Sequence, residues 1–263
     1  MPDDLNPPRA EVTPPAALPT YAALVRRYNE NAGALDALWA RTKVEVRWRD
    51  EKNRKRRESG DGRLIFERPL NTAWTVEVLG DPKLWAGSDV RGFWLFDRLG
   101  EGRAYYGAYG RRLYRPLPLP IQPEALPYLL GLVPLDAGRR PEPPEVEWFN
   151  GYYLIEPPGL DLRLMLDPAT ARPVRVDLTD SEGQSVVTCI LTGDLEVSTM
   201  GDDERRAVLP KKAELYPRDQ ESRLTVTLVR ASGDDQKIKN KWFDYELLKK
   251  ALRPKVVIDL NEP

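Results

Sequence analysis

The 263-residue chain has no histidine, one cysteine (Cys189) and three methionines. Without histidine it lacks the commonest general base near neutral pH and the commonest zinc ligand. A single cysteine can form neither an internal disulfide nor a thiolate metal cluster. Hydrolase and metalloenzyme chemistry is disfavoured from the start, and neither a metal nor another cofactor is expected. An excess of one charge is also missing. Forty basic and 41 acidic residues leave a net charge of −1, which offers nothing to nucleic acid or to an anionic membrane surface. Residues 1–19 hold no apolar stretch long enough for a signal peptide or a membrane span. They carry Pro2, Pro7, Pro8, Pro14, Pro15 and Pro19 instead and are expected to be an extended, disordered linker. If a leader ending in an acylated cysteine preceded this chain in a longer parent, the linker would serve as a lipoprotein tether.

What the sequence does have is alternation. After a helical period at Tyr21, Leu24, Val25, Tyr28, Leu35, Leu38 and Trp39, with Thr20 as N-cap, the period changes to two. Thr42, Val44, Val46 and Trp48 face one way, and Lys43, Glu45, Arg47 and Arg49 face the other. The helix is expected to run over 21–39, and the charged stretch 50–59 to be a solvated hairpin connection. Meander spacing continues through Trp74, Leu84–Ser88, Gly92–Asp97 and Arg103–Tyr109. A proline-rich insertion near 117–144 follows, with a short apolar helix over 124–132 that carries Leu126, Leu129 and Leu130. Eight further strands are expected between 146 and 230, two of them at 185–191 and 195–200. A helix over 242–252 and a tail at Val256–Ile258 complete the chain.

Whole strands are greasy on one side: Leu160, Leu162, Leu164 and Leu166; Val174, Val176 and Leu178; Leu224, Val226 and Leu228. A long sheet with such a face must curl or be covered. The helices are few and short for that area, so an incompletely filled half-barrel that accepts an apolar ligand stands beside a fully packed core. The expected class is mainly β (α+β): an incomplete antiparallel β-barrel, with helices over an apolar cavity, in a single domain over 20–263. On the motif Gly62-Arg63-Leu64-Ile65-Phe66-Glu67-Arg68-Pro69, parity puts Arg68 on the apolar face with Leu64 and Phe66. A guanidinium there needs partners, unless it snorkels at the strand end.

That motif, followed by Trp74 and by Gly92-Phe93-Trp94-Leu95-Phe96-Asp97, resembles the outer-membrane lipoprotein carrier family, the Lol-type periplasmic chaperones and their receptors. Later segments fit in order and spacing: Tyr153-Leu154-Ile155, Leu162–Asp167, Pro173-Val174-Arg175-Val176 and Pro210–Tyr216. The resemblance covers about residues 21–250. It implies an incomplete barrel around a hydrophobic cavity with a helical lid, binding the acyl chains of lipoproteins or other lipids in the periplasm or at the periplasmic face of the outer membrane. It also implies that Arg68 hydrogen-bonds lid backbone and holds the cavity shut. Leu64, Phe66, Trp74 and Trp94 would line the cavity, and Leu126, Leu129 and Leu130 would be lid or ordinary packing residues. The chain departs from the family in its greater length and in both proline-rich segments.

Three functions compete. A lipid-binding, lipoprotein carrier-like or receptor-like protein, monomeric, needs a contiguous apolar cavity. A non-catalytic envelope scaffold with a packed core would bind through exposed aromatics such as Trp85 or Trp148. An enzyme would have to use carboxylates such as Asp161 with Asp167, or Asp202, Asp203 and Glu204, which sit at strand ends or in a turn where charge is expected anyway; no enzymatic activity is expected. Cys189 shares a face with Val187 and Leu191 and reads as a buried, inert thiol.

Overall fold

The computed structural model describes residues 13–49, 52–98, 102–109, 111–114, 121–138, 145–199, 206–218, 222–234 and 238–262. Asp202, Asp203 and Glu204, much of the N-terminal linker and parts of the insertion lie outside them. The first element is helix α1 (Tyr21–Ala32), where the Thr20 hydroxyl accepts from the Ala23 N–H. Tyr21, Leu24, Val25, Tyr28 and Ala32 are buried on one face, at helical spacing.

Six strands follow: β1 (Ala37–Arg49), β2 (Lys55–Glu67), β3 (Asn71–Val78), β4 (Asp81–Ser88), β5 (Gly92–Asp97) and β6 (Arg103–Ala108). The insertion supplies α2 (Ala125–Leu129). Seven more strands come next: β7 (Glu147–Phe149), β8 (Tyr152–Ile155), β9 (Leu162–Leu166), β10 (Pro173–Thr179), β11 (Ser185–Ser198), β12 (Arg206–Pro217) and β13 (Arg223–Ser232). A 3-10 turn (Asn240–Trp242), α3 (Tyr245–Leu252) and β14 (Val256–Asp259) end the chain.

The fourteen strands of the described residues form one sheet in the order β14-β6-β5-β4-β3-β2-β1-β13-β12-β11-β10-β9-β8-β7. Every pair is antiparallel except β14 beside β6. The edges β14 and β7 do not pair with each other, so the barrel is incomplete, as expected from the strand pattern.

Several boundaries differ from those the sequence predicts, for local reasons. The helix predicted over 21–39 stops at Ala32. Gly33 follows, and its N–H bonds back to the Asn29 carbonyl; a Cβ there would meet that oxygen at 2.6 Å. Leu38 and Ala40 then alternate inward with Thr42 and Val44 as strand residues. Half of the charged stretch predicted as a connection is strand, since Lys55–Ser59 pair with Arg49–Glu45 of β1. The strands expected at 185–191 and 195–200 are one continuous β11 that passes through Gly193 at φ +67°. A register shift between Pro173 and Arg175 turns Val174 away from the face of Val176 and Leu178, against the parity prediction.

One face of the sheet, here called inner, meets α1 and the insertion. Leu24 and Val25 of α1 are fully buried, each contributing about 1.5–3 kcal/mol. They join Leu64, Phe66, Leu164, Val176, Cys189 and Leu228 in a single cluster. The outer face of β2–β6 is covered too. Phe243, Tyr245 and Leu248 from the C-terminal segment pack on Ile65, Ala73, Trp94 and Phe96. The third helix, predicted as cover for the cavity face, thus lies on the opposite side. No helix of the described residues is long and apolar enough to cross a membrane.

Candidate functional site: a latched helix over the inner face

The inner face is built from strands whose inward residues line up by register. Leu64 pairs with Trp74, Trp74 with Ala86, and Ala86 with Leu95. Of the candidate lining residues, Leu64, Phe66 and Trp74 fall in the inner cluster, and so do Leu126, Leu129 and Leu130 of the insertion. The structure therefore brings six of the seven apolar candidates together. Trp94 is the exception. It lies on the outer face, where its ring crosses Gly87 and packs 6.1 Å from Tyr245. A Cβ at Gly87 would meet that ring at 2.8 Å.

Arg68 stands one residue beyond the end of β2, before the cis bond to Pro69. Its Nη2 donates to the Ala32 carbonyl in the last turn of α1 at 2.6 Å, and its Nη1 reaches Asp36 Oδ1 at 3.1 Å. Its backbone N–H bonds the Asp36 carbonyl. The guanidinium thus ties the exit of β2 to the end of the helix over the inner face.

Sequence reading overlooked four further ties on α1. Asn31 pairs with the backbone of Val208 as a strand residue would: its Nδ2 donates to the Val208 carbonyl at 3.0 Å, and its Oδ1 accepts from the Val208 N–H at 2.7 Å. Asn29 does the same with Leu135 of the insertion, at 2.8 Å both ways. Tyr28 Oη donates to the Val133 carbonyl at 3.1 Å, and burial pushes its phenol pKa far up. Arg27 Nη2 donates to the carbonyls of Pro168 and Ala169 in the β9–β10 turn. The signal present in the sequence was the pair of polar residues Arg27 and Asn29 flanking Tyr28, whose ring belongs to the apolar face and whose hydroxyl extends past it. Asn31, in the last turn of α1, is a latch as well.

The trough is filled in this arrangement by side chains of α1 and the insertion. Beside them, a groove of about 260 Å³ opens between Asn31, Leu130, Leu191 and Val208, with Arg172 and Asp194 at its rim; these two ions pair at 2.9 Å. A larger hollow of about 750 Å³ lies over β1, β2, β12 and β13 and is lined by Lys43, Glu45, Arg57, Glu77, Lys212 and Glu214. Its charges suit a solvated surface rather than a hydrocarbon chain.

Asp167 accepts the N–H groups of Ala169 and Thr170 and so builds the β9–β10 turn. Trp85 and Trp148, candidates for exposed docking aromatics, are half-buried against Trp242 and Tyr153. Cys189 is fully buried, and burial pushes its thiol pKa far up. Among the described residues no three His, Cys, Asp or Glu side chains gather to hold a metal ion.

No protein-family model matches the chain, and no curated protein does. Solved structures do match. A LolA superfamily protein from Nitrosomonas europaea aligns over 87% of this chain and 99% of its own, at TM-score 0.54 and 11% identity. A domain described as an outer membrane lipoprotein-sorting protein, from Vibrio parahaemolyticus, aligns over 87% and 97%, at TM-score 0.53 and 12% identity. A DUF1329 family protein from Desulfovibrio piger aligns over 86% and 97%, at TM-score 0.53 and 8% identity. The chain thus has the fold of the LolA superfamily and lipoprotein-sorting structures, an open half-barrel with helices against its inner face.

Proposed function

We propose that the protein binds acyl chains, of lipoproteins or of other lipids, between the inner face of the half-barrel and the helices packed on it. It acts as a lipoprotein carrier-like or receptor-like protein of the bacterial cell envelope, in the periplasm or on the periplasmic face of the outer membrane. The observation that carries this reading is the construction of the cover. α1 rests on apolar side chains but is fastened at its rim by individual side-chain hydrogen bonds from Arg27, Tyr28, Asn29, Asn31 and Arg68. Such a lid can lift without disturbing the strand ladder, and lifting it bares a continuous greasy surface. In this reading Leu64, Phe66 and Trp74 line the site, Leu126, Leu129 and Leu130 belong to the movable cover, and Arg68 is the latch.

A second reading, an envelope scaffold with a permanently packed core, draws on the same filled trough. Native mass spectrometry separates the two. The purified chain, mixed with phospholipid or with an acylated peptide, is expected to retain lipid, and the amount retained is expected to change in Arg68→Leu. A clean apo mass under every condition favours the scaffold and removes the binding function.

A further inference from the structure

The sheet comes apart where β11 and β12 reach the end of α1. β11 pairs with β10 only from Ser185 to Ile190, and β12 pairs with β13 only from Lys212 to Leu215. Beyond those points Asp194–Ser198 and Arg206–Pro210 ladder with each other alone. Among the described residues the two strands thus form an arm with no ladder to the sheet on either side. Two residues at its root suit a bend. Gly193 holds φ +67°, which a side chain would strain, and Pro210, opposite Asp194, brings no N–H to the ladder.

Individual contacts hold the arm instead. On the β13 side Asn31 takes the N–H and the carbonyl of Val208, and the Gly233 N–H bonds the Ser198 carbonyl at 3.1 Å. On the β10 side Arg172, just before β10, grips Asp194 with both ends of its guanidinium: Nη1 meets Oδ1 and Nη2 donates to Oδ2, each at 2.9 Å. The groove of about 260 Å³ lies in this gap, with Arg172 and Pro173 on one side and Thr192 and Asp194 on the other. Its walls include Leu130 and Leu191, buried members of the inner-face cluster.

A hydrocarbon chain cannot cross a strand ladder, because parting two paired strands strips several backbone groups of their partners at once. Here an ion pair stands where a ladder would be. The Asp194 side chain is 64% exposed, and pairs of that exposure hold weakly. Letting go at Asp194 opens a way from solvent to apolar side chains without unpairing any strand. Because Asn31 joins the arm to α1, the arm and the end of the helix yield together.

We propose that this gap is the portal by which an acyl chain reaches the inner face, and that the Arg172–Asp194 pair is its gate. The inference rests on the acyl-chain binding proposed above and adds its route and its control.

The test mixes the full chain with cis-parinaric acid in a stopped flow, where the fluorescence of the polyene rises as it enters apolar surroundings. Asp194→Ala removes the gate and is expected to raise the rates of both uptake and release about threefold to fivefold, the range an exposed pair allows, with the equilibrium affinity changed by less than about twofold. Thr192 is exposed at the mouth, and Thr192→Trp is expected to obstruct it and slow both rates about tenfold. Asp180→Ala, which breaks the Arg218–Asp180 pair away from the gap, is the control and is expected to leave both rates as they were. If either Asp194→Ala or Thr192→Trp leaves the rates unmoved, or if Asp180→Ala moves them as much, the portal is overturned and acyl binding stands. A wild type that takes up no probe overturns both.

Discussion

Arg68 Nη2 donates to the Ala32 carbonyl at 2.6 Å, so a strand-end cation closes the last turn of the helix that covers the inner face. The same guanidinium also meets Asp36, but that carboxylate is 79% exposed, and exposed pairs contribute little. Arg68→Leu is therefore expected to cost about 2 kcal/mol, and Asp36→Ala no more than about 0.5 kcal/mol. Urea unfolding measures both. Hydrogen exchange should localise the Arg68→Leu effect to the amides of α1, and uniform loss of protection throughout the sheet would contradict the latch.

Asn31 completes a two-bond pairing with Val208, so its removal leaves a backbone donor and acceptor of β12 unpaired. Asn31→Ala is expected to destabilise by about 2–3 kcal/mol. Asn31→Asp should fare no better, because a carboxylate oxygen would then face the Val208 carbonyl. If Asp restores wild-type stability in urea, the pairing has been misassigned.

Glu124 makes stability depend on pH. Its carboxyl has a higher pKa in the folded protein, about 7, than the ordinary 4.5, so the folded state binds the extra proton between those values. The stabilisation is fully present below about pH 4.5 and is lost as pH rises through about 7, an effect on the order of 2–3 kcal/mol. Tyr109, which senses the Glu124 charge, has its own phenol pKa raised, by burial first as for Glu124, so it stays neutral across this range. Urea midpoints for Glu124→Gln should lack this slope, and an unchanged slope would locate the titration elsewhere. Asp180 works in the opposite sense. Arg218 holds its carboxyl below the usual range, so its contribution is lost only as pH falls towards the acid range.

Arg175 and Asp177 form an ion pair at 2.9 Å on the outer face, with both side chains essentially shut off from water. Asp177 also accepts from Thr188. Asp177→Leu leaves a buried guanidinium without this counter-ion and is expected to cost about 3–5 kcal/mol, whereas the double change Arg175→Met with Asp177→Leu should recover most of that loss. Equal destabilisation by the single and double variants would show that shape rather than charge governs the site.

Cys189 reports on opening. Its thiol is fully buried on the inner face, with its pKa pushed up by burial and then by Asp177. A thiol reagent is expected to label it under native conditions only when the cover lifts, faster than global unfolding allows, and Arg68→Leu should accelerate that labelling. A labelling rate equal to the global unfolding rate would mean that α1 moves only with the whole domain.

The strand pattern was legible because burial on one face enforces a period of two. Leu162, Leu164 and Leu166 read inward from sequence and lie inward, as do Leu224, Val226 and Leu228. Trp94 escaped because its strand is buried on both faces: Phe93 and Leu95 pack inside and Trp94 and Phe96 outside. A run of five buried residues carries no parity signal. The cover over that outer face comes from α3, roughly 150 residues further along the chain, and local pattern cannot show such a partner. Arg68 was found by parity and the Arg-Pro motif, although it acts from just beyond the strand. The asparagine latches were missed because a side chain that imitates backbone leaves no periodic mark.

The pairing of β1 with β13 sets Val44 opposite Val226, roughly 180 residues apart in sequence. The two halves of the sheet share only this seam, so the order in which the chain folds follows from it. Residues 37–109 can form their meander from local contacts, but their inner face has no sheet to continue into until the last strands emerge from the ribosome. Closing a loop that long is slow. α1 is already made by then, but Leu135, Pro168, Ala169 and Val208, which fasten it, are not; the nascent N-terminal half must therefore wait with its greasy side loosely covered, and this interval, more than the finished fold, is when the protein is open to misassembly.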